Sequence, residues 1–245
     1  MPSRAAVYSA QTTRPFYGPA RPPRAASKPQ VDSRPRVALL QLQKHPYFDE
    51  QYALLLRELS ARFQLDLITN RTQASLLFRN GWHSIVLATD PALADSDNYA
   101  LREEARLFIH RGGSLILCCH FAAAAPRLDL EKFFSSFGLY WRTGDYHRTE
   151  HEVNRAIAGV DTGGLRPRYS QHAVHLRDVD PRHAIYLPAA TAYVQSSVCP
   201  PSPIEDKTQT PTALATVGQG RLGFVGDVNA EEGTIRTVLT ICDRQ

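Results

Sequence analysis

Cys118, Cys119 and His120 close the run Ser114-Leu-Ile-Leu-Cys-Cys-His120, which follows the helix-stopping pair Gly112-Gly113. A thiol delivered at the tip of a buried strand is how a nucleophile elbow is built: the sharp turn projects the side chain, and nearby backbone N–H groups can receive an oxyanion. Thiolate is the attacking form, so the chemistry needs a base or a positive field beside the sulfur. His120, next to Cys119, could act as base or ligand, although neighbours on a strand point to opposite faces. The alternative is a buried or partly exposed thiol that only packs.

Other polar residues fall where chemistry is possible in principle. Gln43, Lys44 and His45 follow the first apolar run, Asp90-Pro91 follows the third, and Asp227 and Asn229 follow the last. Asn229 also reads as the N-cap of a closing helix, with Glu232 completing a capping box, and a helix N-terminus suits an anion. In Asp145-Tyr-His-Arg-Thr-Glu-His151, His147 and His151 share one face of an extended strand and could hold a metal with Asp145 or Glu152. Such a cluster is more often a solvated face or loop, and no metal is expected. His172 and His175 are an odd number of residues apart, which separates them across a sheet and marks them as structural. No cofactor is expected.

The elements that must position these residues alternate. Val37–Leu42 is a near-continuous apolar run of strand length, as in a strand covered on both faces. Asp49 opens a helix whose Tyr52, Leu55, Leu56, Leu59 and Phe63 make one stripe. Strands at Leu65–Thr69, Ser84–Thr89 and Ser114–Cys119 alternate with helices at Thr72–Arg79 and Asp97–Arg111, the former closed by Asn80-Gly81. Asp129 caps a helix carrying Leu130, Phe133, Phe134 and Phe137, with Gly138 at its left-handed end. Shorter strands follow at Tyr169–Val179, His183–Leu187, Thr212–Val217 and Arg221–Asp227, the last two joined as a hairpin through Gly218-Gln219-Gly220. Cys199–Thr212 reads as a mobile surface loop. The pattern predicts an α/β fold: a flavodoxin-like, doubly wound, mostly parallel sheet with a late antiparallel hairpin, and a ligand crevice at the carboxyl ends of its strands.

Residues 1–35 carry seven prolines and no apolar periodicity, and read as a disordered, basic Pro/Arg-rich leader before a domain at 36–245. Of the formal charge of +4, residues 1–36 hold seven Lys/Arg against one acid, leaving 21 bases against 23 acids in the remainder. A slightly acidic domain argues against nucleic acid, whose phosphates need clustered Lys/Arg. No apolar run has the roughly 18 residues that span a bilayer, so no membrane is expected. The four cysteines lack the spacing of a secreted disulfide framework. A cytoplasmic protein with reduced thiols is expected, with mitochondrial targeting by the Arg-rich leader left open.

The run Gly112–His120 and the late Gly218-Gln-Gly-Arg-Leu-Gly-Phe-Val-Gly-Asp227, in that order about a hundred residues apart, resemble the class I glutamine amidotransferase-like superfamily. The likeness covers residues 36–243 and is to divergent branches, the ThuA-like (trehalose-utilisation) proteins and the trimerisation domains of some β-galactosidases. The resemblance puts Cys119 at the nucleophile position, but Leu117 and Phe121 replace the two glycines of Gly-x-Cys-x-Gly. The region of the His-Pro-Glu partners reads Gly226-Asp-Val-Asn-Ala-Glu-Glu232, without histidine. The usual triad is incomplete. The resemblance therefore implies a non-classical domain that binds a small polar metabolite or a partner protein at the crevice around Gln43, His45, Asp90, Asp227 and Asn229. The alternatives are a Cys119-dependent hydrolase or amide-transfer enzyme with His120 as base, and a homo-oligomerisation module working through Tyr140-Trp141 or a sheet edge.

Overall fold

The computed structural model describes residues 32–196, 198 and 200–243. Most of the leader, Cys199 and the last two residues lie outside the described residues. Residues 34–245 make one compact unit. Its main sheet has the order β10-β11-β4-β3-β1-β2. Here β1 is Arg36–Leu40, β2 Gln64–Ile68, β3 Ile85–Ala88, β4 Ser114–Leu117, β10 Thr212–Val217 and β11 Gly220–Val225. All neighbours pair in parallel except the edge strand β10, which is antiparallel to β11. This is the doubly wound, mostly parallel architecture with a late hairpin that the alternating elements predict.

Side-chain alternation divides the core into two layers. Ala38, Leu40, Val86, Ala88, Leu115 and Leu117 pack under α3 (Arg71–Asn80), α4 (Tyr99–His110) and α6 (Arg127–Ser136). Val37, Leu39, Ile85, Leu87 and Ile116 pack under α1 (Phe48–Gln51), α2 (Ala53–Arg62) and α7 (Glu232–Cys242). Because both faces are covered, these strands are continuously apolar in sequence.

Several helix boundaries depart from the sequence expectations. Asp49 does not cap: Tyr47 holds that position, the helix breaks at Tyr52 (φ −107°, ψ 17°), and Asp49 instead pairs with Lys44 at 2.6 Å. Asp129 lies inside the first turn of α6, which starts after Pro126, where its charge suits the positive helix end. Asp97 belongs to a 3₁₀ turn capped by Asp95, and α4 starts at Tyr99. Asn80-Gly81 does end α3, with Gly81 at φ 64°.

The second half of the chain builds a further sheet, β6-β5-β7, from β5 (Arg142–Val153), β6 (Arg168–Arg177) and β7 (Tyr186–Pro188). The long β5, mostly polar, does not show itself as an element in the sequence pattern. The segment read as a mobile surface loop is partly ordered core: Ser202–Pro203 (β9) pairs with Tyr193–Val194 (β8), and Ile204, Gln209 and Thr210 are buried. The second sheet sits over the carboxyl end of β11. Val174 N–H donates to Gly226 O at 3.0 Å and Val228 N–H to His172 O at 3.1 Å. Gly226 permits this approach, since a β-carbon there would lie 1.9 Å from Val174 O. Among the described residues no helix is long and apolar enough to cross a membrane.

Candidate functional site

β4 ends at Leu117, and Cys118 N–H continues its ladder by donating to Ala88 O at 3.0 Å. The chain then turns at once into α5 (His120–Ala124), and the turn falls on Cys119 at φ 59°, ψ −126°. A non-glycine residue in this region costs of order 1–3 kcal/mol and needs its surroundings to hold it there. The strand thus enters α5 through one strained residue, Cys119, with no glycine at position 117 or 121. Leu117 and Phe121, which occupy those positions, are both fully buried.

The sulfur is enclosed. Cys119 is 3% exposed, and its thiol meets the Cys118 thiol at 3.7 Å. Burial pushes its pKa well above the ordinary thiol value, and Cys118 and the Asp227 carboxylate push it further. His120 turns elsewhere. Its Nε2 lies 2.9 Å from Gln51 Oε1, and its ring rests on Tyr52 and His45, with centroids at 5.0 and 4.8 Å. Burial, then His45, lowers the His120 pKa and leaves a neutral ring. His120 Nε2 is thus engaged by Gln51 and the Cys119 thiol by Cys118, with the sulfur inside the core and the imidazole half-buried at the rim.

The protein's own side chains cover this end of the sheet. Tyr52 Oη donates to Val228 O at 3.1 Å and Gln51 Nε2 to the same carbonyl at 2.7 Å. Asp227 is buried, and burial raises its pKa although its oxygens accept the N–H groups of Asn229 (2.9 Å) and Glu231 (2.8 Å). Asn229 is accordingly not the cap of α7. Ala230, at φ 54°, delays the helix to Glu232, and Asp227 satisfies the free N–H groups before it. Asp90 does comparable structural work: its Oδ2 accepts Gln43 N–H at 3.0 Å and its Oδ1 accepts Ala92 N–H at 3.1 Å, joining the ends of β1 and β3. Burial raises its pKa against these bonds. The structure thus brings Gln43 to Asp90 and His45 to His120, while Asn229 is exposed beside Asp227.

Sequence reasoning missed two groups at this end. Gln51 and Tyr52 carried no signal beyond a place in or beside an apolar helical stripe. Arg148 of β5 pairs with Glu231 and faces Ser170, beside Tyr146, whose ring stacks on His172 at 4.5 Å. Of the oligomerisation pair, Tyr140 is 85% exposed, but Trp141 is buried against Phe134 and His183. The Asp145–Glu152 segment is not a loop: it lies in β5, with Asp145 and Tyr146 exposed and His151 fully buried. Glu152 is exposed, and the Asp145 carboxylate accepts from Gln209 Nε2 at 2.9 Å. His172 and His175 do lie apart, one stacked on Tyr146 and the other on His147.

No family model matches the chain, and no curated protein does. Solved structures do. A ThuA-like protein of Bacteroides uniformis matches with a TM-score of 0.52 and 13% identity, over 86% of this chain and 92% of that one. A ThuA-like protein of Parabacteroides merdae matches with a TM-score of 0.52 and 12% identity, over 84% and 87%. The β-galactosidase of Bacillus circulans matches with a TM-score of 0.54 and 13% identity, over 85% of this chain but 31% of the enzyme. At these identities the likeness is one of fold, and it supports a ThuA-like α/β fold for this chain.

Proposed function

We propose that residues 36–245 form a non-catalytic, amidotransferase-like domain of ThuA-like fold that works by association with a partner chain, a second copy of itself included. The observation that carries this reading is Cys119: a turn residue whose thiol is buried, held protonated by its surroundings, and beside an imidazole whose Nε2 is engaged by Gln51. Thiol chemistry requires the opposite of each. The β-galactosidase likeness adds support, because there a domain of this fold is about a third of a larger chain. A small polar metabolite at the rim of Gln43, His45 and Asn229 is the other ligand the reading allows. We place the protein in the cytoplasm.

Peptide-mapped alkylation of the four cysteines across pH tests the first half. Cys119 in the folded protein should stay unmodified at pH values where a free thiol, with a pKa of roughly 8.5, reacts. Rapid modification near neutral pH refutes the non-catalytic reading and restores Cys119 as a nucleophile. Light scattering over a concentration series tests self-association. A strict monomer rules out the second-copy form and directs the search to a different partner.

A further inference from the structure

We propose that the imidazoles of His147, His151 and His175 form a binding site for a divalent transition-metal ion of the zinc class, entered from the cavity beside His147. The coiled β5–β6 ribbon brings together rings that lie far apart along it. His151 Nε2 and His175 Nε2 are 2.9 Å apart, and the His147 ring stacks on His175 with centroids at 4.4 Å. Two imidazole nitrogens each about 2.0–2.1 Å from one tetrahedral ion stand about 3.3 Å apart, so these two rings need to part by only about half an ångström to admit it. His175 Nδ1 lies 3.1 Å from Asp145 O. A carbonyl only accepts, so Nδ1 carries the hydrogen and Nε2 presents its lone pair, the arrangement that orients histidine ligands in metal sites.

The unpaired atoms mark the same place. His147 Nε2, His151 Nδ1 and both polar atoms of Gln171 are buried without hydrogen-bond partners. Gln171 is 0% exposed and stands opposite Thr149, on the face between His147 and His151. Buried polar atoms are rarely left unsatisfied, and a group of them on one face can be served by a bridging water or by an ion. Without the ion, His151 Nε2–H donates to His175 Nε2. With it, the hydrogen moves to His151 Nδ1, where the Thr149 backbone carbonyl can accept it. No proton is lost in the exchange. Burial holds His151 and His175 neutral, the form that ligates.

Among the described residues no three His, Cys, Asp or Glu side chains already stand in a coordinating arrangement. The His147 ring supplies the third ligand by swinging off the face of His175. It has room to do so, because His147 borders a cavity of about 330 Å³ whose wall includes Asp145, Ser202 and Glu205. Two carboxylates at that mouth favour a cation, and an all-imidazole set favours zinc, copper or nickel over magnesium or calcium.

Calorimetric titration of the full chain with Zn²⁺ near neutral pH, repeated with Co²⁺ and its visible absorption, tests the site. One equivalent should bind and raise the melting temperature. His151→Gln and His175→Gln should each weaken binding about tenfold or more, while His45→Gln and His120→Gln leave it unchanged. If the buried variants do not fold by circular dichroism, His147→Gln at the cavity wall carries the test with the same expected loss. Absence of saturable uptake, full binding by His147→Gln, or loss of binding in His120→Gln overturns the proposal.

Discussion

Replacing Cys119 by alanine and by glycine separates the two properties of the elbow, its backbone strain and its sulfur. Alanine keeps the β-carbon at φ 59° and removes only the buried sulfur, a loss of about 1 kcal/mol. Glycine removes the strain as well, a gain of about 1–3 kcal/mol. Against that gain stand about 0.4–1 kcal/mol of extra freedom in the unfolded chain and up to about 0.8 kcal/mol of lost burial. At the middle of these ranges the balance favours glycine over alanine by about 1 kcal/mol, whereas at an ordinary helix or strand position glycine is the worse residue by about that amount. Urea denaturation followed by circular dichroism should therefore order the midpoints with Cys119→Gly above Cys119→Ala, at unchanged slope. A glycine variant less stable than the alanine variant by about 0.5 kcal/mol would show that the strand does not turn sharply at Cys119, and the elbow would be lost from the account.

Acid should destabilise the second sheet. Burial lowers the pKa of His151 to about 2 and of His175 to about 4, against about 6.5 in the unfolded chain. Both rings stay neutral when folded, so their contribution is complete above about pH 6.5 and is lost as the pH falls toward the folded values. Each group loses about 1.4 kcal/mol per pH unit, up to about 4 kcal/mol for the pair by about pH 5. Stability measured against pH in metal-free buffer should show this slope, and His175→Gln should remove about half of it; an unchanged slope would mean that the ring titrates as in water. Gly226→Ala should cost about 3 kcal/mol or more, because its β-carbon would meet Val174 O, a backbone atom, at 1.9 Å. A thermal midpoint close to that of the unsubstituted protein would contradict the tight crossing of β6 over β11.

Local pattern alone determined the layered half of this molecule. Apolar runs at 37–42, 84–89 and 114–119 read as strands, the first as one covered on both faces, and Asn80-Gly81 and Gly218-Gln219-Gly220 read as a helix end and a hairpin turn. Each signal acts over a few residues, where steric and hydrophobic preferences dominate. The position of Cys119 at a strained strand–helix turn was legible for the same reason. Tertiary contacts decided the rest. The sulfur is buried under Tyr52 and near Asp227, and His120 pairs with Gln51, 69 residues away. Asn229 gave way to Asp227 as the group satisfying the N–H groups before α7, because Ala230 takes a positive φ. The polar β5 strand has no apolar alternation to betray it, and it exists through pairing with β6 and β7. His151 and His175, 24 residues apart in sequence, meet only because that ribbon coils. Whether a thiol or an imidazole can react depends on burial and on charges brought from distant segments, which no short window of sequence contains.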